Sequence, residues 1–380
     1  MTSPRVLFYV QHLLGIGHIA RASLVASALA EDGFEVTMVT GGLPVPGFPG
    51  PGINHIRLMP EVTSREGFSG LQDIDGATLG PDGERQRMEQ LLAVLGDTKP
   101  DIVITEAFPF GRRQMRFELL PFLDAIKAMR PKPLLFASIR DILQVNKKPG
   151  RDEETVALVR QHFHRVLVHG DRNLTRIEDT FPLAGEIADK VLYTGLVAPA
   201  APVPSLEKYR VVVSAGGGAV GQKLLSAAVA ARDLISAPGR WCVITGPNLD
   251  AASFDSLASK GSGEINVFRF RSDFRQLLGS AELSISQAGY NTVCDVLRAG
   301  CGSLLVPFAA GGETEQTARA VKLRELGLAE FIEEAAITPD LVASGIGKAL
   351  AQRGKARLDL NMDGARETAR LLRREINHEN

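Results

Sequence analysis

Cysteine is scarce in this chain of 380 residues: Cys242, Cys294 and Cys301 are the only three, and no two form a CxxC pair. An odd count without paired spacing argues against a disulfide framework and a cysteine zinc site, and fits a reducing compartment. Excess charge is lacking too. The 43 Lys and Arg stand against 44 Asp and Glu, a formal net charge of −1, so the molecule as a whole has no basic surplus to drive nucleic-acid binding by counterion release. No apolar run approaches the ~20 residues that span a bilayer. Residues 1–3 lead directly into a strand pattern, without the apolar core of a signal peptide. These absences lead to the expectation of a cytoplasmic protein, peripheral to the inner membrane face at most, that takes no nucleic acid.

What is present is an ordinary globular composition, 44% hydrophobic and 23% charged, which excludes a disordered chain. Short Val- and Ile-rich runs recur at 6–10, 35–40, 102–105, 133–138, 166–169, 211–214, 241–245, 283–286 and 302–306. They read as strands buried on both faces. Longer amphipathic stretches at 18–31, 83–95, 117–129, 220–235 and 292–299 read as helices. Strand and helix therefore alternate, which predicts an α/β fold with parallel sheets and right-handed crossovers. The alternation breaks once, at 196–206, where LVAPAAPVPSL carries three prolines. This reads as an interdomain linker between two Rossmann-like halves facing across a cleft. A helical tail at 364–376 follows the second half.

In open parallel sheets, ligands bind at the carboxyl ends of the strands, and glycine-rich turns let backbone N–H groups approach a phosphate. The second half opens with VVVSAGGGAVGQ, which places Gly216, Gly217, Gly218 and Gly221 between a strand and a helix as a diphosphate cradle. The same glycines satisfy GxGxxG, but the next strand ends WCVITGP without the acidic residue that would grip a nicotinamide nucleotide's ribose. A plain tight turn is the other reading. The first half opens with GIGHIARA, where Gly15 and Gly17 precede His18 and Arg21 follows on the same helical face. The macrodipole at a helix N-terminus disfavours an imidazolium, so His18 is expected to stay neutral and to serve as a general base. Capping or packing against the loop is the alternative, and His12 is a weaker candidate base.

A third element runs SISQAGYNTVCDVLRAG. A strand turns through Gln287, Ala288, Gly289 and Tyr290 into a helix capped by Asn291 or Thr292, with Asp295 in its first turn. Then VPF ends a strand at Phe308, and GGETEQTARA opens a helix with Glu313, Glu315 and Gln316. Asp73 and Asp75 form a DxD far from the phosphate-binding turns, and His162, His164 and His169 lack a completing ligand. No metal and no resident cofactor are expected.

Together these motifs resemble the GT-B glycosyltransferases of family 28, most specifically over residues 211–327. The resemblance implies a nucleotide-sugar donor, UDP-linked by family likeness, and a hexosyltransferase that works with inversion. It implies that 1–198 is an acceptor-side domain, 199–361 the donor-binding domain, and 362–380 a helix crossing back. It further implies that Gly17, Gly289, Tyr290 and Asn291 lie near the donor, with Asp295 on the ribose and Glu315 and Gln316 on the sugar. Phe270 and Arg271 would lie near the base. Family members typically carry Glu where Asp295 stands, and often Arg or His where Gln287 stands. The GIGHIAR loop is instead similar to the UDP-sugar hydrolase of the pseudaminic acid pathway, so hydrolysis is the alternative, and a non-catalytic GT-B-like binding protein is a third. The segment at 104–123, ITEAFPFGRRQMRFELLPFL, resembles a group of uncharacterised glycosyltransferases and favours transfer. In it Glu106 ends a strand as a second catalytic candidate, and Arg112, Arg113 and Arg116 are candidates for an anionic acceptor, lipid-linked or small. A solvated helix face is the other reading of these arginines.

Overall fold

The computed structural model describes residues 3–13, 15–63, 71–72, 80–146, 148–216, 221–235, 239–260, 263–354 and 359–379. It divides into two compact units. One comprises residues 1–172, 176–197 and 363–380, the other 173–175 and 198–362.

The first unit carries β1 (Arg5–Val10), α1 (Gly17–Glu31), β2 (Glu35–Thr40), β3 (Asn54–Arg57), a short antiparallel pair β4 (Val62–Thr63) and β5 (Leu71–Gln72), and α2 (Pro81–Thr98). After these come β6 (Ile102–Glu106), α3 (Arg116–Ala128), β7 (Leu134–Arg140), α4 (Arg151–His162), β8 (Arg165–His169) and β9 (Val191–Tyr193). Seven strands form one sheet in the order β3-β2-β1-β6-β7-β8-β9, and every pair in it is parallel. Consecutive side chains of β1 serve opposite faces, as the pleat requires. Val6, Phe8 and Val10 join a core with Ile19, Ala22, Val25 and Leu29 of α1. Leu7 and Tyr9 join the other, with Leu91, Leu119 and Phe122. The continuous apolar runs in the sequence follow from having both faces covered.

The second unit carries β10 (Val211–Ser214), α5 (Gln222–Ala231), β11 (Trp241–Ile244), α6 (Ala251–Ser259), β12 (Ile265–Phe268), α7 (Phe274–Ser280) and β13 (Leu283–Ser286). They are followed by α8 (Tyr290–Ala299), β14 (Gly302–Leu305), α9 (Glu315–Glu325), β15 (Glu330–Phe331) and α10 (Pro339–Gln352). Its sheet runs β12-β11-β10-β13-β14-β15, again parallel throughout. The last helix, α11 (Gly364–Glu379), belongs to the first unit. There Ala369 and Leu372 enter the α1 core, and Arg373 lies 4.0 Å over the Phe34 ring while its Nε donates to Asp32 Oδ2 at 3.1 Å. Among the described residues no helix is long and apolar enough to cross a membrane.

Beneath the first sheet lies a buried ionic cluster. Arg87 Nε donates to Glu118 Oε2 at 2.6 Å, Nη2 to Gln11 Oε1 at 2.5 Å, and Nη1 to the Gly41 carbonyl at 3.0 Å. Tyr9 donates its hydroxyl to Glu118. Glu61 Oε1 lies 3.4 Å from Arg87 Nε, but neither Glu61 oxygen accepts a hydrogen bond from the described residues. Burial therefore pushes the Glu61 carboxyl up to about 7, although Arg87 pulls the other way.

Candidate active site

In each sheet the strand order reverses once, and such a switch point leaves a crevice at the strands' carboxyl ends. In the first unit it lies between β1 and β6. The turn after β1 leads into α1 with His18 at its second residue, and β6 ends on Glu106. The structure brings the two together: His18 Nδ1 lies 2.8 Å from Glu106 Oε1, and Arg21, one turn further along α1, donates to the same oxygen. Arg140, ending β7, places Nη2 3.1 Å from His18 Nε2. A guanidinium only donates, so Nε2 presents its lone pair and Nδ1 carries the proton given to Glu106.

His18 is held well below the usual histidine range, first by burial and then by Arg112 and Arg140, against the pull of Glu106. Desolvation and two guanidiniums, rather than the helix dipole expected from the sequence, are the physical cause. Glu106 is fully buried, yet Arg21, His18 and Ser138 hold its carboxyl well below the carboxylate range. Arg112 reaches this site by adopting a left-handed backbone, φ 58°, and donates Nε to the Gln11 carbonyl at 2.7 Å. Burial and Arg140 push it down to about 10. Its neighbours correct the expectation of a three-arginine acceptor patch, because Arg113 and Arg116 both pair with Glu154. His12 is buried, with Nε2 donating to the Leu43 carbonyl at 2.7 Å, which commits it to the loop.

In the second unit the switch point lies between β10 and β13. Gly217 and Gly218 lie outside the described residues, as do Asp73 and Asp75. Gly216 and Gly221 flank the turn with φ of 74° and 126°, and a Cβ on Gly221 would sit 2.6 Å from the Ala215 Cβ, so glycine is obligatory there. A Cβ on Gly216 would meet Gln287 Oε1 at 3.4 Å, which places Gln287 beside the turn. The helix after β13 starts at Tyr290, with Gly289 as its cap residue and no side-chain cap bond. This corrects the cap assigned to Asn291 or Thr292, and it moves Asp295 from the first turn to the second. No dipole effect of the first turn then acts on Asp295; it is half-buried, and burial pushes it up to about 6 against Arg275.

Two residues of α9 brace this turn. Gln316 Oε1 accepts from the Ala288 N–H at 3.0 Å and from the Phe308 N–H at 3.1 Å, tying the loops after β13 and β14 together. Buried Arg319 donates to the Ala288 carbonyl at 2.9 Å and to Glu315 Oε1 at 2.9 Å. Glu315 is thus turned inward onto Arg319, and Gln316 has only its amide N–H groups left for a ligand. Arg271 pairs with Glu207 and Asp273, while Phe270 is 72% exposed. Among the described residues no group of three or more His, Cys, Asp or Glu is placed to hold a metal ion.

Sequence reasoning missed Ser138, Arg140 and Arg319, and saw His169 only as a candidate metal ligand. The available signal was a polar residue closing an apolar strand, in FASIR and in VLVH.

Residues 212–372 match the glycosyltransferase family 28 C-terminal domain. The UDP-N-acetylglucosamine–N-acetylmuramyl-(pentapeptide) pyrophosphoryl-undecaprenol N-acetylglucosamine transferase of Agrobacterium fabrum is 29% identical over 185 residues, 45% of this chain and 48% of that one. Its counterpart from an Exiguobacterium species is 30% identical over 155 residues, 39% and 42% of the two chains. The chain thus spans about half the length of the curated relatives it matches. Among solved structures, MurG of Acinetobacter baumannii aligns with a TM-score of 0.62 at 17% identity, covering 98% of this chain and 100% of that one. The calicheamicin glycosyltransferase aligns with a TM-score of 0.62 at 17% identity, covering 100% and 95%. The chain therefore has the GT-B fold, and its residues 212–372 match the glycosyltransferase family 28 C-terminal domain.

Proposed function

We propose that this protein is a hexosyltransferase that moves a sugar from a nucleotide-diphosphate sugar, UDP-linked, to an acceptor hydroxyl with inversion and without an obligatory metal ion. The observation that carries the reading is the His18–Glu106 pair, a neutral imidazole with its proton on Nδ1 and its lone pair on Nε2. The acceptor hydroxyl would take the place of Arg140 at Nε2. As its oxygen attacks the anomeric carbon, its proton passes to Nε2, the bond from that carbon to the diphosphate breaks, and the electron pair leaves with the nucleotide. Glu106 stabilises the imidazolium that forms, which is the orienting role a buried carboxylate plays for a catalytic histidine. A single displacement of this kind inverts the anomeric centre.

The second unit would hold the donor. The backbone N–H groups at the start of α8, with the turn braced by Gln316 and Arg319, offer donors to a diphosphate without reorganisation during the reaction. A Cβ on Gly289 would meet nothing within 4 Å among the described residues. Asp295 would bind the ribose and Gln316 the sugar, as in the resemblance. The activity of the N-acetylglucosamine transferases it resembles favours a lipid-linked acceptor at a membrane surface, with the protein on the cytoplasmic face.

The test is nucleotide release from a panel of UDP-, TDP- and GDP-sugars, with and without a lipid or glycoside extract. Release that depends on the extract and yields a glycosylated product supports transfer. Release with free sugar in water alone replaces transfer with hydrolysis. No release with any donor leaves a binding protein.

A further inference from the structure

Glu106 has two carboxylate oxygens, and His18 and Arg21 use only Oε1. Oε2 accepts from Ser138 Oγ at 2.6 Å. The protons beyond it follow by elimination. An ionised carboxylate only accepts, so the single hydroxyl proton of Ser138 goes to Glu106. The lone pairs of Ser138 Oγ must then meet a proton on His169 Nε2, 3.0 Å away. Burial holds His169 neutral, down to about 3, so its Nδ1 carries no proton; Thr194 Oγ1, 2.9 Å away, shares its one proton between that nitrogen and the Gly195 carbonyl at 2.9 Å. Each of these side chains is buried: Ser138 is 1% exposed, and Glu106, His169 and Thr194 are 0%.

We infer that Ser138 and His169 are positioning residues: a one-directional hydrogen-bond chain, His169 to Ser138 to Glu106, fixes the carboxylate so that its other oxygen faces His18 Nδ1. The inference rests on the reading of His18 as the base. Three adjacent parallel strands supply the parts, Glu106 from β6, Ser138 paired beside it on β7 and His169 at the end of β8, so the sheet itself sets the spacing. A carboxylate held at both oxygens cannot swing about its last torsion, which is otherwise broad and two-fold.

The charged groups facing His18 are Glu106, Arg112, Arg140 and, through the shared carboxylate, Arg21; those facing His169 are Arg21 and Glu106. Histidine 15N NMR on the full chain then reads the network directly. The expected result is His169 protonated at Nε2 and His18 at Nδ1. Ser138→Ala removes one donor from Glu106, leaves more of its charge for the imidazolium, and raises the His18 pKa by about half a unit or more. It also lowers kcat about tenfold with donor KM unchanged. Ser138→Thr, which keeps the hydroxyl, restores both, and His169→Gln, which keeps an N–H towards Ser138, perturbs both less than His169→Leu. A proton on His169 Nδ1, or a His18 titration unmoved by Ser138→Ala, overturns the inference. So does a wild-type kcat in Ser138→Ala while His18→Ala is inactive. If His18→Ala keeps full turnover, the base assignment itself has failed, and the NMR still decides whether the chain exists.

Discussion

The two units place their polar residues differently at equivalent points of the same topology. At the first switch point the side chains are ionic and buried: Glu106 holds His18 and Arg21, with Arg112 and Arg140 close by. At the second, the side chains mostly serve the backbone, as Gln316 and Arg319 fix the N–H and C=O of Ala288. On the proposed function, the difference teaches how one fold prepares two kinds of chemistry. A proton acceptor needs a side chain whose protonation is set by its surroundings. An anion needs backbone donors that are already aimed.

The comparison is broken most severely by removing the base. His18→Ala should lower kcat by roughly 10²-fold or more with donor affinity little changed, measured by nucleotide release against calorimetry. In the wild type, kcat/KM should hold steady from pH 8 down to and below the usual histidine pKa of ~6.5, then fall on further acidification, because the imidazole of His18 is neutral until a lower pH than usual. An acid limb at or above pH 6.5 contradicts this.

Next in size is the cluster behind the first sheet. Arg87→Met leaves Glu118 and Glu61 buried without their cation, and should cost about 3–5 kcal/mol in urea unfolding. Breaking the second unit's brace is smaller: Gln316→Ala leaves two backbone N–H groups without their acceptor and should cost about 2 kcal/mol, with weaker nucleotide binding.

Two further effects are in pH-dependent stability, and their signs oppose each other. Folded His169 stays neutral down to about 3, whereas an unfolded histidine takes up a proton near ~6.5. Its contribution to stability is therefore complete above pH 6.5 and lost as pH falls towards 3. Folded Glu61 keeps its proton up to about 7, whereas an unfolded glutamate loses it near ~4.3. That group costs stability as pH rises between those values. Glu61→Gln should accordingly stabilise the protein by about 2–3 kcal/mol more at pH 8 than at pH 5, and an equal change at both would refute the assignment.

Much of the fold was legible because β1, β2, β6, β7, β8, β10, β11, β13 and β14 are buried on both faces and leave continuous apolar runs. The outer strands β3, β9, β12 and β15 were not legible. Their residues are mostly half-buried, as in NHIR and VLY, and carry no such run. At the site, His18 and Glu106 could be singled out by chain position at a glycine turn and a strand end. Their contact could not, since 88 residues separate them and the strand order alone brings them together. The turn at Gly289 misled because Tyr290 begins the helix directly from glycine, without the polar side-chain cap that Asn291 suggested.

The central claim is that proton transfer belongs to the first unit and nucleotide binding to the second. Calorimetric titration of UDP into the wild type, His18→Ala and Gln316→Ala tests it most directly. The account predicts wild-type affinity for His18→Ala and at least about tenfold weaker binding for Gln316→Ala. Loss of UDP binding in His18→Ala, with Gln316→Ala unaffected, would contradict it.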